Sequence, residues 1–214
     1  ILSAAGRTFY LYAPWRYESP ADSLWQGFHV EARDAFNGQQ LWVKPVGDAT
    51  ELERPMATDG ERVYVALRDE STVAALDAAT GAVVRRYDAV GDIVLHNGML
   101  IVGVQRGTWR VLHPESGATV RTIETGLPKE VPLAAELFRS SYNRAALLLQ
   151  GDAVYAVALA DESPVIRKEE FESGVTLWET PREEDEEFHS VQEDLLFTML
   201  PEALAPSVMK MVDS

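Results

Sequence analysis

The stretch Ala32-Arg33-Asp34-Ala35-Phe36-Asn37-Gly38-Gln39-Gln40-Leu41-Trp42 decides how this chain is read. An apolar run ends at an acidic residue, a Gly follows four positions later, and an aliphatic residue and Trp come next. Asn-Gly supplies the left-handed backbone that a tight turn needs. The Asp side chain can accept hydrogen bonds from the turn's own N–H groups. The segment therefore reads as strand, hairpin turn, strand, with the Trp available to pack on a neighbour.

The pattern recurs. Ala75-Leu76-Asp77-Ala78-Ala79-Thr80-Gly81-Ala82-Val83-Val84-Arg85 repeats it with Arg85 in place of Trp. Val111-Leu112-His113-Pro114-Glu115-Ser116-Gly117-Ala118-Thr119-Val120-Arg121 repeats it again, with His113 at the Asp position. A degenerate copy runs from Glu170 through Gly174 to Trp178. A second signature precedes three of the copies: Gly6 to Tyr10, Gly60 to Tyr64 and Gly151 to Tyr155 each place an apolar residue and then Tyr at one offset from Gly, and Asn97 to Val102 is a looser relative. Each reads as a turn followed by a strand. A repeat of a few tens of residues that cannot bury its own faces is a stacking unit, and its strand content matches the four-stranded sheet of a β-propeller blade.

Ala-x-Asp-x-x-x-Gly-x-x-x-Trp resembles the tryptophan-docking motif of quinoprotein-like (PQQ-like) β-propellers. Ala32 to Trp42 matches it completely, Ala75 to Arg85 in all but the last position, and Thr58 to Val65 leading into Ala75-Leu76-Asp77 is similar to the same repeats. The expected fold class is all-β: about four four-stranded antiparallel blades over residues 1–187 (near 1–47, 54–90, 91–125 and 145–182), part of a larger propeller. Residues 188–214 form a short irregular or helical tail, or the start of a further blade. In that tail Asp194 to Thr198 is read as a strand in preference to a helix, and Ala203 to Val212 as a short helix or loop.

Asp34, Gly38, Trp42, Asp77, Gly81, Gly117, Gly174 and Trp178 are the expected turn and docking residues. Two insertions break the pattern. The first, Ala13 to His29, carries Trp15, Tyr17, Trp25 and Phe28, a candidate interaction loop, since aromatic residues anchor interfaces; folding back to cover the blade is the alternative. The second, Thr125 to Arg144, reads as a long connection with a helical turn from Leu133 to Phe138.

Composition narrows the functions. The formal charge of -15 over 214 residues argues against nucleic acid, because phosphate binding needs basic patches. No apolar run approaches the roughly 18–20 residues of a membrane helix. The acidic run Glu183 to Glu187 reads as a solvated loop; it lacks the ligand alternation and the Gly turn of a calcium loop. With no cysteine, thiol catalysis, disulfides and thiolate metal sites are excluded. His29, His96, His113 and His189 make no zinc-type pairs, and neither a nucleophile elbow nor a phosphate loop is present. No catalytic, cofactor or metal residue is therefore assigned.

The resemblance implies a bacterial protein of the periplasm, cell envelope or exterior. It also raises a quinone-dependent oxidoreductase, but those enzymes use a full ring, a calcium site and often adjacent cysteines. The leading expectation is a non-catalytic scaffold whose partner is another protein or the remainder of the same protein. The alternatives are an oxidoreductase domain lacking part of its site and a carbohydrate- or cell-envelope-binding module.

Overall fold

The computed structural model describes residues 1–12, 27–47, 55–67, 71–89, 91–105, 107–125, 147–160, 163–181, 187–192, 195–199 and 210–212. Four sheets have four strands each, paired in chain order. Sheet one holds β1 (Leu2–Ala4), β2 (Arg7–Tyr12), β3 (Phe28–Asp34) and β4 (Gln40–Gly47). Sheet two holds β5 (Met56–Thr58), β6 (Arg62–Leu67), β7 (Thr72–Asp77) and β8 (Val83–Asp88). Sheet three holds β9 (Ile93–His96), β10 (Met99–Gln105), β11 (Thr108–Leu112) and β12 (Thr119–Glu124). Sheet four holds β13 (Leu147–Gln150), β14 (Ala153–Ala160), β15 (Ser163–Glu170) and β16 (Thr176–Pro181). The described residues contain no helix.

Beyond residue 187 lie β17 (Glu187–Gln192), β18 (Leu195–Met199) and β19 (Lys210–Val212), a three-stranded sheet. The preferred strand at 194–198 corresponds to β18. Lys210–Val212, read from the sequence as helix or loop, is strand instead, because it pairs antiparallel with Leu196–Thr198. The fold is thus all-β.

The chain forms two compact units, residues 1–105 with 110–119, and residues 106–109 with 120–214. In the first unit the core has two layers. Phe9, Val30, Ala32 and Trp42 of sheet one pack on Val63, Val65, Leu67, Ala74 and Leu76 of sheet two. The other face of sheet two, through Tyr64, Ala66, Val73, Ala75 and Tyr87, packs on Ile93, Leu100, Val102 and Leu112. Sheet two is buried on both faces, so β6 reads as a nearly continuous apolar run, Val63-Tyr64-Val65-Ala66-Leu67. Sheet one differs. Its strands alternate, and the face turned away from sheet two carries Tyr10, Tyr12, His29, Glu31 and Arg33, as the cross-strand register shows.

The hairpin turns share one backbone plan. The N–H of Gly38 donates to the Asp34 carbonyl at 2.9 Å, and the Asp34 N–H to the Gln39 carbonyl at 2.8 Å. The same two bonds recur at Asp77/Gly81, His113/Gly117 and Glu170/Gly174. The four glycines have φ between +71° and +74°. Asp34 Oδ1 also accepts from the N–H groups of Phe36 and Asn37 at 2.9 and 3.0 Å, and Asp77 Oδ1 does the same for Ala79 and Thr80. The Thr80 hydroxyl and N–H, with the Ala79 N–H, hold the Asp77 carboxyl below the usual carboxylate range. His113 keeps the backbone bonds without the side-chain ones, so the Asp reinforces the turn and the Gly permits it. A β-bulge falls at the same place in sheets one, two and four, between the two residues that precede the turn, at Ala32/Arg33, Ala75/Leu76 and Lys168/Glu169, and re-aims the strand into the hairpin.

Candidate interaction site

The outermost strands of sheets one, two and three carry side chains that reach the turn of the following sheet. Trp42 on β4 is 9% exposed. Its Nε1–H donates to the carbonyl of Ala78 at 3.1 Å, and the ring is tilted against Phe9 with centroids 6.1 Å apart. The indole lies directly on Gly81: a Cβ there would sit 2.7 Å from Cδ2 and Cε3 of Trp42. Gly81 thus serves two needs, the left-handed turn and the close approach of the ring.

At the next turn two residues divide this task. Arg85, at the Trp position, donates from Nη1 to the Ser116 carbonyl at 3.1 Å, and its guanidinium lies against Gly117. Tyr87, two residues on, donates its hydroxyl to the Pro114 carbonyl at 2.7 Å. Pro114 follows His113 as Ala78 follows Asp77, so the phenol makes the bond that the indole makes one sheet earlier. Around it Arg62 pairs with Glu115, which holds the guanidinium proton more firmly than usual, and Tyr64 donates to Asp59 at 2.7 Å. Burial first, and then the Asp59 bond, raise the Tyr64 hydroxyl well above the ordinary phenol value. Tyr87→Phe is expected to lower the unfolding free energy by about 1 kcal/mol, read from urea melts with the slope unchanged. A cost indistinguishable from zero would remove the phenol from the docking bond.

Within the second unit Arg121 follows the same logic. It donates to the Glu170 carbonyl at 3.2 Å and to Glu169 Oε2 at 2.8 Å, and its guanidinium lies against Gly174. Glu169 also lies 3.7 Å from Arg167, which bonds Glu179 at 2.8 Å. Arg121 and Glu169 are largely shielded from water while Arg167 and Glu179 are more open, so at this turn charge-assisted bonds replace an aromatic contact.

One turn and one docking residue differ from the rest. The Asp34–Gly38 turn has its residues 35 to 41 exposed, Phe36 to 99%, and no described residue lies within 4 Å of a Cβ built at Gly38. Trp178 sits opposite Lys168 in the register that Trp42 holds opposite Ala32. It meets Tyr155 edge-on at 6.1 Å, yet its Nε1 is buried without a hydrogen-bond partner.

Of the candidate interaction loop, Trp15, Tyr17 and Trp25 lie outside the described residues, as do the acidic residues 183–186 and all of the Thr125–Arg144 connection but Thr125. Phe28 opens β3, partly buried against the core of sheet one. His29 stacks on Tyr12 at 6.0 Å with a buried Nδ1 that makes no hydrogen bond. Glu31 lies 2.7 Å from Arg33 without hydrogen-bond alignment. Among the described residues no three His, Asp or Glu side chains converge as metal ligands.

Four-stranded antiparallel sheets, each with a glycine turn of one plan before its last strand, and docking residues that reach the next such turn define a β-propeller repeat protein. Residues 26–127 match the family model described as outer membrane protein assembly factor BamB, and this stretch is similar to the quinoprotein-like (PQQ-like) propeller repeats. Among solved structures it is similar to the designed protein Ika8 (TM-score 0.53, 15% identity, 79% of this chain and 48% of that one). It is also similar to BamB of Moraxella catarrhalis (0.51, 14%, 87% and 58%) and to hydrazine synthase of Kuenenia stuttgartiensis (0.50, 14%, 83% and 51%). The chain spans about half the length of these structures, and at such identities the likeness is one of fold. No curated protein matches the sequence.

Proposed function

We propose that the chain is a non-catalytic β-propeller scaffold that mediates protein–protein interaction within a larger protein or assembly. The observation that carries this reading is the exposed Asp34–Gly38 turn. It has the backbone bonds of the turn that receives Trp42, and it stands open with Phe36 at its tip. A large exposed aromatic on a rigid, pre-organised turn is a favourable interface anchor, because little conformational freedom remains to be lost on binding. The match to repeats named for an assembly factor supports the same reading.

A photoreactive amino acid placed at Phe36 tests it. The expected result is a discrete adduct with a protein, mapped by mass spectrometry to residues around position 36. Two results would overturn the reading: no adduct at this position, or retention of one pyrroloquinoline quinone per chain with calcium and quinone-dependent oxidation of an alcohol.

A further inference from the structure

We propose that the Asn97–Gly98 turn is a modification site, deamidating spontaneously to isoaspartate as the protein ages, while the other Asn-Gly pair of the chain, Asn37–Gly38, is held against the same reaction.

The sequence sets the chemistry and the backbone gates it. The main-chain nitrogen after an asparagine can attack the side-chain amide of that asparagine. A bond forms from the nitrogen to Cγ, the Cγ–NH2 bond breaks, and the main-chain amide proton leaves with the NH2 group as ammonia. Water then opens the cyclic succinimide. Opening at the side-chain carbonyl gives aspartate. Opening at the main-chain carbonyl gives isoaspartate, in which the chain runs on through the former side chain. Water is the sole co-reactant. Glycine favours the attack because it places no Cβ beside the nitrogen. The remaining question is whether that N–H is already committed to an acceptor.

The two pairs differ on this point. The Gly38 N–H donates to the Asp34 carbonyl at 2.9 Å, and Asn37 Oδ1 accepts from the Gln39 N–H at 2.8 Å. The attacking nitrogen of this pair must first give up a hydrogen bond. Asn97–Gly98 is instead the two-residue loop of the β9–β10 hairpin, whose register sets His96 opposite Met99. Its φ values are +47° and +72°, the pattern of a type I′ turn, in which the closing bond runs between the flanking residues. Among the described residues none accepts from the Gly98 N–H. Asn97 and Gly98 are both exposed, and a Cβ built at Gly98 meets nothing within 4 Å. Ring closure has room, and water reaches the product.

The change would fall on a seam. β9 ends sheet three and pairs there with β10 alone. Its Ile93 and Leu95 pack in the core shared with Tyr64, Ala66 and Val73 of sheet two. Isoaspartate lengthens the main chain inside a loop whose length fixes the register of the hairpin. It also exchanges a neutral amide for a carboxylate. Ageing therefore loosens β9 and, with it, the join between sheets two and three.

Incubation of the chain at mildly alkaline pH, followed by tryptic digestion and mass spectrometry, tests the proposal. The peptide carrying Asn97 should gain the mass of an amide-to-acid exchange and split into aspartate and isoaspartate forms. In the folded chain it should react roughly tenfold faster than the peptide carrying Asn37, the factor for a hydrogen bond that must first be lost. In concentrated urea the two rates should converge. The aged chain should melt below the fresh one. Asn97→Gly keeps a residue that accepts positive φ and has no amide to lose, so its melting point should hold through the same incubation. Equal rates in the folded chain, a faster Asn37, or an Asn97 that survives folding conditions while the chain in urea reacts would each overturn the proposal. Conversion that leaves the melt unmoved would overturn the loosening of β9.

Discussion

Trp42→Ala is expected to lower the unfolding free energy by about 3–5 kcal/mol, the range for removing a large buried aromatic. The side chain is packed on Phe9 and on the turn of sheet two, so its loss opens a cavity at a seam between two sheets. It also leaves the Ala78 carbonyl without its donor. Trp42→Phe separates the two effects, keeping most of the ring and losing only the N–H, at a cost of about 1 kcal/mol. Denaturant melts of both variants provide the check. An alanine variant that melts with the wild type would mean that this indole does not join the sheets.

Gly81→Ala should cost about 2–5 kcal/mol. One part is the left-handed backbone, where an L side chain costs roughly 1–2 kcal/mol. The other is overpacking, about 1–3 kcal/mol, because the new methyl would lie 2.7 Å from the Trp42 ring. Gly38→Ala carries the first part alone, since no described residue lies within 4 Å of its added Cβ. The two variants have nearly identical φ, +71° and +74°, so the difference between their melts isolates the indole contact. Equal losses would show that the ring yields freely.

Much of this was legible in the sequence. Glycine spacing marks the hairpins because only a few residue types tolerate positive φ, and the Asp four positions before the Gly marks the strand end. The continuous apolar run of β6 against the alternation of β2 separates a sheet covered on both faces from one with a polar face. What the sequence hides is the chemistry of the docking positions. Arg85 and Arg121 look like exceptions to the motif. In the structure each reaches the turn of the following sheet as Trp42 does, because a guanidinium also presents a flat face and an N–H donor. Tyr87 two positions on was the signal for that exchange. The contrast between Gly38 and Gly81 could not be read at all, since it depends on what covers each turn and not on the turn's own residues.

The Trp42–Ala78 bond spans 36 residues, always toward the C-terminal side. That direction matters while the chain is being made. A hairpin such as β3–β4 closes in microseconds once synthesised, but a ribosome adds only about 5–20 residues per second. Sheet one therefore waits roughly 2–7 s with its indole in water before the peptide that shelters it exists. Sheets one, two and three are each joined to their successor in this way, so the growing chain carries one wet aromatic or guanidinium edge as each of them is made. That edge is where a holding chaperone would bind during translation.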